Sequence, residues 1–289
     1  DVDGVFTADP RIVPTARRIP VIDYESMLEM SSCGSKVLAL RCVEYAQRFD
    51  MPLHVRSSFS HRRGTLIVPE GVDPRTLPHS AIARHRRQSQ ENQDFTNKGK
   101  NMSENNNQSL GDLFPDLGPE VPIISGVAHD NTESLATVRR VPNEPGMAAK
   151  VFTLLAEAGV NVDMIVQASA STGTADISFT VPGSAAAKVR DVLQEKQDEL
   201  GYQSFDIDAN VGKVAVVGVG MKTHSGLAAK FFNALSDEGV NVLMISTSEI
   251  RIAALVPLEQ LQDAVRALHT AYGLDAEQVE AVVYGGTGR

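Results

Sequence analysis

Three places in this 289-residue chain carry residues suited to small anionic or zwitterionic ligands. The first is the opening run from Asp1 to Arg11, where Asp1, Asp3 and Asp9 precede a permanently charged, forked guanidinium that is a fit donor for phosphate. Acids in so turn-rich a run also read simply as turn residues. Lys36 follows Gly34 at the start of an expected helix, where its charge and the helix dipole both favour phosphate. The other two places are the turns at Gly146 and Gly226. Each opens a helix whose first backbone N–H groups can receive a carboxylate. Asp163, just beyond the first of these helices, is a natural partner for an ammonium.

The elements that position the glycine turns occur twice. Gly146 to Ile165 reads GMAAKVFTLLAEAGVNVDMI and Gly226 to Ile245 reads GLAAKFFNALSDEGVNVLMI, with twelve of the twenty aligned pairs identical. A tandem repeat of one folding unit explains this, and chance does not. Phe152 and Leu155, like Phe232 and Leu235, give the apolar stripe of a half-buried helix, which Gly159 or Gly239 stops. Strands are expected over Val160–Gln167 and 177–179, then over Val240–Thr247 and Ile250–Val256. Second helices follow at Ala185–Leu200 and Leu258–Tyr272. With a leading strand before each unit the order is β-α-β-β-α-β, a ferredoxin-like sandwich.

Bulk properties narrow the function classes. A net charge of −9 argues against nucleic acid as a partner, since phosphate backbones need a basic face. No run of about eighteen apolar residues exists to span a membrane as a helix. Two cysteines, Cys33 and Cys42, make no disulfide framework and suit a reducing cytoplasm. The chain opens without Met and inside a motif, which reads as a fragment.

Residues 1–68 alternate helix and strand like the end of an α/β domain. Gly4 and Pro10 shape the opening loop, Arg11 to Ile19 is expected to be extended, and Asp23 caps a helix over Tyr24–Met30. A second helix is expected over Ser35–Phe49, with strands at Pro52–Arg56 and Gly64–Val68. From Pro69 to Glu120 the composition turns to Asn, Gln, Ser and charge, too polar to offset chain entropy, so disorder is expected. Arg84-His-Arg-Arg87 within it reads as a solvated linker in so acidic a chain. Ile123–His129 reads as a strand entering the C-terminal half, paired with a closing strand at Val279–Tyr284. Gly218-Val-Gly220 lacks the third glycine of a dinucleotide fingerprint.

The repeat, with its loop-Gly-helix-Gly-Val-Asn run, resembles the ACT module, a small domain that binds amino acids and regulates enzymes. Residues 1–68 resemble the end of the catalytic domain of aspartate kinases, in the amino acid kinase family. The matching pieces are Asp1-Val-Asp-Gly-Val-Phe-Thr-Ala-Asp-Pro-Arg11, Glu25 to Met30, Cys-Gly-Ser-Lys-Val-Leu at 33–38, and His54-Val-Arg-Ser-Ser. The closest form is the actinobacterial type, which also ends in Gly-Thr-Gly-Arg. The fold class this implies is α/β: the end of a kinase domain (1–68), a polar insert (69–120), and two ferredoxin-like ACT units (121–209 and 210–289).

The resemblance implies site residues. Asp1, Phe6, Thr7, Ala8, Asp9, Pro10 and Arg11 would line ATP, with its Mg²⁺, and Lys36 would join them. Effector contacts would come from Asn143, Glu144, Pro145, Gly146, Met147, Ala148, Asn161, Val162, Asp163 and Gln167 in the first unit. The second unit would supply Leu227, Ala228, Asn241, Val242, Ser248 and Glu249. Asn161 and Asn241 also read equally well as turn-shaping residues. Asp163 is matched by Leu243 in the repeat, so the two sites are not equivalent. Phe6 stands where the family has Tyr, and Ala170 and Ala175 replace hydroxyl residues near the effector, changes that bear on effector choice.

The implied activity is phosphorylation of L-aspartate in lysine, threonine and methionine biosynthesis, inhibited by lysine, threonine or both. The alternative is a non-catalytic regulatory subunit that only binds amino acids. Oligomers joined through the ACT units are expected, because edge strands invite pairing. No Gly-rich phosphate cradle or catalytic-lysine motif precedes the 1–11 loop, so this chain alone is expected to be inactive. Limited proteolysis should cut first between residues 69 and 120. First cleavage within 146–165 or 226–245 would refute the expected disorder of the insert.

Overall fold

The computed structural model describes residues 2–70, 72, 124–170, 173–219, 221, 224 and 226–277. The Asp1 contact, nearly all of the 69–120 insert and the strand expected at Val279–Tyr284 lie outside them. The N-terminal body holds β1 (Val21–Asp23), α1 (Tyr24–Ser32), α2 (Leu40–Arg48), β2 (Leu53–Val55) and β3 (Thr65–Val68). Its sheet runs β1-β3-β2, with β1 parallel and β2 antiparallel to the central strand. Asp23 caps α1 as expected, Oδ1 accepting the Ser26 N–H at 2.7 Å.

Two local expectations here are corrected. Residues 11–19 are not a plain extended run: the Ile12 and Val13 amides both return to the Asp9 carbonyl, forming a turn. The second helix begins at Leu40, not Ser35. Gly34 has φ +106° and lies so close to the His129 carbonyl that a Cβ would sit 2.1 Å from its oxygen. The chain must clear that contact before it can coil. Lys36 therefore sits ahead of α2, beyond the first turn where a helix dipole acts.

The first repeat unit is β5 (Glu133–Pro142), α3 (Met147–Glu157), β6 (Ile165–Ser169), β7 (Thr174–Pro182), α4 (Ala186–Glu195), α5 (Gln197–Leu200) and β8 (Ser204–Asp208). Its antiparallel sheet runs β6-β7-β5-β8, the ferredoxin-like order. The second unit is β9 (Val211–Val217), α6 (Leu227–Asp237), β10 (Met244–Thr247), β11 (Arg251–Pro257) and α7 (Leu261–Ala271). Both units show the expected αββα core, although β6 and β10 begin about four or five residues later than periodicity suggests. Residues 160–164 and 240–243 serve instead as connectors.

The fourth strand of the second sheet does not come from the second unit. Its order is β10-β11-β9-β4, and β4 is Gly126–Asp130, from before the first unit. Val127 is opposite Val216 and Ala128 opposite Ala215. The expectation that 123–129 belongs to the first unit is thus corrected: the first unit, 133–208, is inserted between two strands of the second sheet. Alternating Val127, Val214, Val216, Ile252 and Ala254 face α6 and α7, where Phe231, Leu235 and Leu268 are buried. Ala8, Val13 and Ala16 of the opening loop join that core. Burying a side chain as large as Phe231 contributes about 1.5–3 kcal/mol.

Gly34→Ala should destabilise the chain by about 2–4 kcal/mol, from positive-φ strain and the collision with His129. Urea unfolding measures this, and a loss below about 0.5 kcal/mol would contradict the close approach.

Candidate functional site

The opening loop is built onto β4. The Val127 amide donates to the Thr7 carbonyl at 2.7 Å, and Gly126 allows the approach, since a Cβ there would lie 2.8 Å from the same oxygen. The Thr7 amide donates to the Arg17 carbonyl, and Phe6 bridges Arg18. Thr7 and Ala8 are buried against the second unit. Their side chains thus hold the loop, which leaves the backbone of these two residues as the part able to face a ligand. Asp9 and Arg11 remain at the surface as a bidentate pair, Nη2 to Oδ2 at 2.7 Å and Nε to Oδ1 at 3.0 Å. Burial would raise the Asp9 carboxyl, but the hydrogen bonds and charge of Arg11 hold it below the usual range. His129, at the end of β4, is within electrostatic reach of Asp9, Asp130, Arg11 and Lys36; burial and the two cations lower its pKa. Asp9, Arg11 and Lys36 thus all act electrostatically on His129. Asp3 is buried beneath the loop, Oδ1 accepting the Ser60 hydroxyl.

A second charged cluster lies where three parts of the chain meet. Lys213, on β9, has a side chain only 1% exposed. Its Nζ stands 2.6 Å from Glu133 Oε1 and 2.6 Å from Asp163 Oδ2, with the Ser32 carbonyl of α1 at 3.5 Å. Burial alone would lower this amine, but the two carboxylates outweigh it and hold the ammonium above the usual lysine range. Beside it Arg251 Nη1 donates to Glu29 Oε2 at 3.1 Å and approaches the buried Cys33 thiol. Below these charges Met164, Met244, Leu255 and Leu135 form a small shared apolar cluster. Glu133 and Lys213, like Met164 and Met244, are equivalent positions of the two repeats. The units therefore meet like face to like face, with opposite charge where the pairing needs it.

The two glycine turns are open. Gly146 and Gly226 both have φ +96°, room for a Cβ with no other group within 4 Å, and no side-chain cap on the helix that follows. Asn143, Glu144, Pro145, Asn161 and Gln167 are exposed around the first turn, with Ala148 and Val162 half-buried. The Met147 side chain is in the first unit's core. Around the second, Ala228, Asn241, Ser248 and Glu249 are exposed, and Leu227 and Val242 are half-buried. A shallow groove on the helix layer, lined by Gly226, Lys230, Asn233, Asp237 and Ala271, begins at the second glycine turn but includes none of the expected effector residues.

Comparison with known proteins fits this geometry. The family description "ACT domain" matches residues 139–197 and 214–272, and "Amino acid kinase family" matches 1–57. An aspartokinase of Mycolicibacterium smegmatis is 42% identical over 291 aligned positions, spanning 100% of this chain. Along its whole length this chain is homologous to the aspartokinases. It spans 59% of the length of that relative. The crystal structure of an aspartate kinase from Synechocystis superposes with a TM-score of 0.72 at 25% identity, covering 98% of this chain and 72% of that one. E. coli aspartokinase III, solved in complex with aspartate and ADP, shares the fold at 23% identity and a TM-score of 0.68, over 94% of this chain and 50% of that one. The same enzyme has been solved with lysine and aspartate, at 23% identity and a TM-score of 0.62, over 93% of this chain and 50% of that one.

For an aspartokinase homologue, the main surprise is Asp163. The carboxylate expected to hold an effector ammonium already holds one, that of Lys213. The sequence carries a signal for this: Lys213 is the lone charge in Val211–Val217, a strand buried at every position, and a buried lysine needs a partner. Lys213→Met should cost about 3 kcal/mol, because it leaves Glu133 without its counter-ion. Asp163→Asn should cost about 1 kcal/mol or less, since that side chain is 41% exposed. Urea denaturation of both variants checks the ranking, and equal losses would contradict it.

Proposed function

We propose that this chain is the C-terminal part of a feedback-regulated aspartate kinase. The whole enzyme transfers the γ-phosphoryl group of ATP, with Mg²⁺, to the β-carboxylate of L-aspartate in a reducing cytoplasm, the opening step toward lysine, threonine and methionine. The observation that carries this reading is homology to aspartokinases along every part of the chain, with a kinase-family segment docked on paired ACT units. Asp9, Arg11 and Lys36 supply cations and an acid, the parts that phosphoryl transfer uses to hold nucleotide and metal.

Effector binding belongs to the ACT units. The uncapped start of α3 offers backbone N–H groups to an amino acid carboxylate, and the half-exposed Asp163 lies on the connector that precedes β6. The E. coli aspartokinase III crystallised with lysine and aspartate supports lysine as one effector here, with threonine the other candidate. Ile165, Val166, Leu243 and Ile245 are exposed apolar residues on or beside the edge strands β6 and β10, surfaces suited to pairing with another ACT unit.

The test is an assay of the full-length enzyme for aspartyl phosphate formation, alongside calorimetric titration of this chain with lysine and threonine. Activity with ATP and aspartate that falls when either effector is added is the expected result. Effector binding without any kinase activity in the full-length protein would favour the regulatory-subunit reading, and neither would overturn the proposal.

A further inference from the structure

His269 is fully buried on α7 and joins two parts of the chain that are far apart in sequence. Its Nε2 is 2.8 Å from Thr7 Oγ1 in the opening loop, and its Nδ1 is 3.1 Å from Asp275 Oδ1. Around this axis the loop is tied repeatedly to the end of α7. The Thr15 hydroxyl donates to Asp275 Oδ1, and the Ala276 amide donates to the Thr15 carbonyl. Arg17 donates from Nε to the Leu274 carbonyl at 2.8 Å and from Nη2 to the Gly273 carbonyl at 3.0 Å.

The proton positions follow from what each group can do. A carboxylate only accepts, so Nδ1 carries the hydrogen and donates to Asp275. Nε2 of the neutral ring is then an acceptor, and it takes the Thr7 hydroxyl hydrogen. Thr7 Oγ1 in turn accepts the Arg17 amide at 2.9 Å. A protonated ring would set an N–H against the Thr7 hydroxyl hydrogen and break this order. The charged groups facing the ring are Asp275 and Arg17. Burial lowers the His269 pKa most, and Arg17 adds to that, while Asp275 opposes both. Hydrogen bonds from Thr15, Thr270 and His269 outweigh burial at Asp275 and keep its carboxyl ionised.

We propose that His269 is a positioning residue for the nucleotide loop: through Thr7 and Asp275, α7 of the second ACT unit fixes the segment that presents Asp9 and Arg11. This rests on the reading of residues 1–11 as the nucleotide loop. It makes the second ACT unit a structural part of the kinase centre, so that any shift of α7 reaches Thr7 directly. Because the folded-state pKa of His269 is depressed, the support is complete above the unfolded value of about 6.5 and is lost as pH falls through the folded value.

The experiment uses the full-length enzyme with His269→Gln, Thr7→Val and Thr7→Ser. His269→Gln and Thr7→Val should each raise the KM for MgATP about tenfold, the loss of one buried hydrogen bond, with the KM for aspartate within about twofold of wild type. Thr7→Ser should restore most of the affinity, and the acid limb of kcat/KM for ATP should move in His269→Gln. Unchanged KM for ATP in His269→Gln, equal rises for both substrates, or a Thr7→Ser variant as impaired as Thr7→Val would overturn the proposal. Should His269→Gln fail to fold, the Thr7→Val and Thr7→Ser pair decides by the same criterion. A wild-type enzyme that forms no aspartyl phosphate would sink the functional reading instead. In that case ADP affinity by titration still reads the loop: weaker binding in Thr7→Val than in Thr7→Ser supports the proposal, and equal binding overturns it.

Discussion

One short strand, Gly126–Asp130, constrains the rest of the molecule. On one side it completes the sheet of the second ACT unit, pairing with Val211–Val217. From its other edge Val127 donates to the Thr7 carbonyl, with Gly126 and Gly34 bare enough to let the opening loop and the end of α1 close on it. A side chain at either glycine would push those segments off. Near the end of the same strand, His129 lies within electrostatic reach of Asp9, Arg11 and Lys36. Sheet pairing, core packing and loop geometry are thus decided together, and the first ACT unit hangs from this assembly as an insertion.

What fastens the insertion is charge in a dry place. Lys213 draws Glu133 and Asp163 of the first unit and the Ser32 carbonyl of α1 to one ammonium. An isolated buried ammonium is costly, and two carboxylates with short hydrogen bonds offset that cost. Because the desolvation of such a pair offsets much of its attraction, the contact ties three parts of the chain together without adding much net stability. It also breaks the symmetry of the repeat: Glu133 faces Lys213, and Asp163 has no acidic counterpart at Leu243.

Much of this is legible in the chain. The duplicated twenty-residue run announces two equivalent units, and glycines at equivalent positions set both helix starts at φ +96°. The Asp23 cap and the apolar stripes can be read directly because they depend on neighbours within a few residues. The origin of the fourth strand cannot, because Gly126–Asp130 is apolar in a way that fits either sheet, and its partner is fixed only by long-range register. Local pattern also cannot show that Thr7 and Ala8 point into a core made by α6 and α7. Asp163 stands out for the right chemistry, a carboxylate seeking an ammonium, but its partner is a lysine 50 residues away. His269 lies on a helix face that reads as ordinary core.

The central claim is that the opening loop, Gly126–Asp130 and the second ACT unit form one cooperative body. Native-state hydrogen exchange of this chain tests it directly, with the amides of Thr7, Val127 and Val216 followed across low denaturant concentrations. The account predicts that all three open with the same free energy and the same denaturant dependence. Rapid local exchange at Thr7 and Val127 while Val216 stays protected would contradict it.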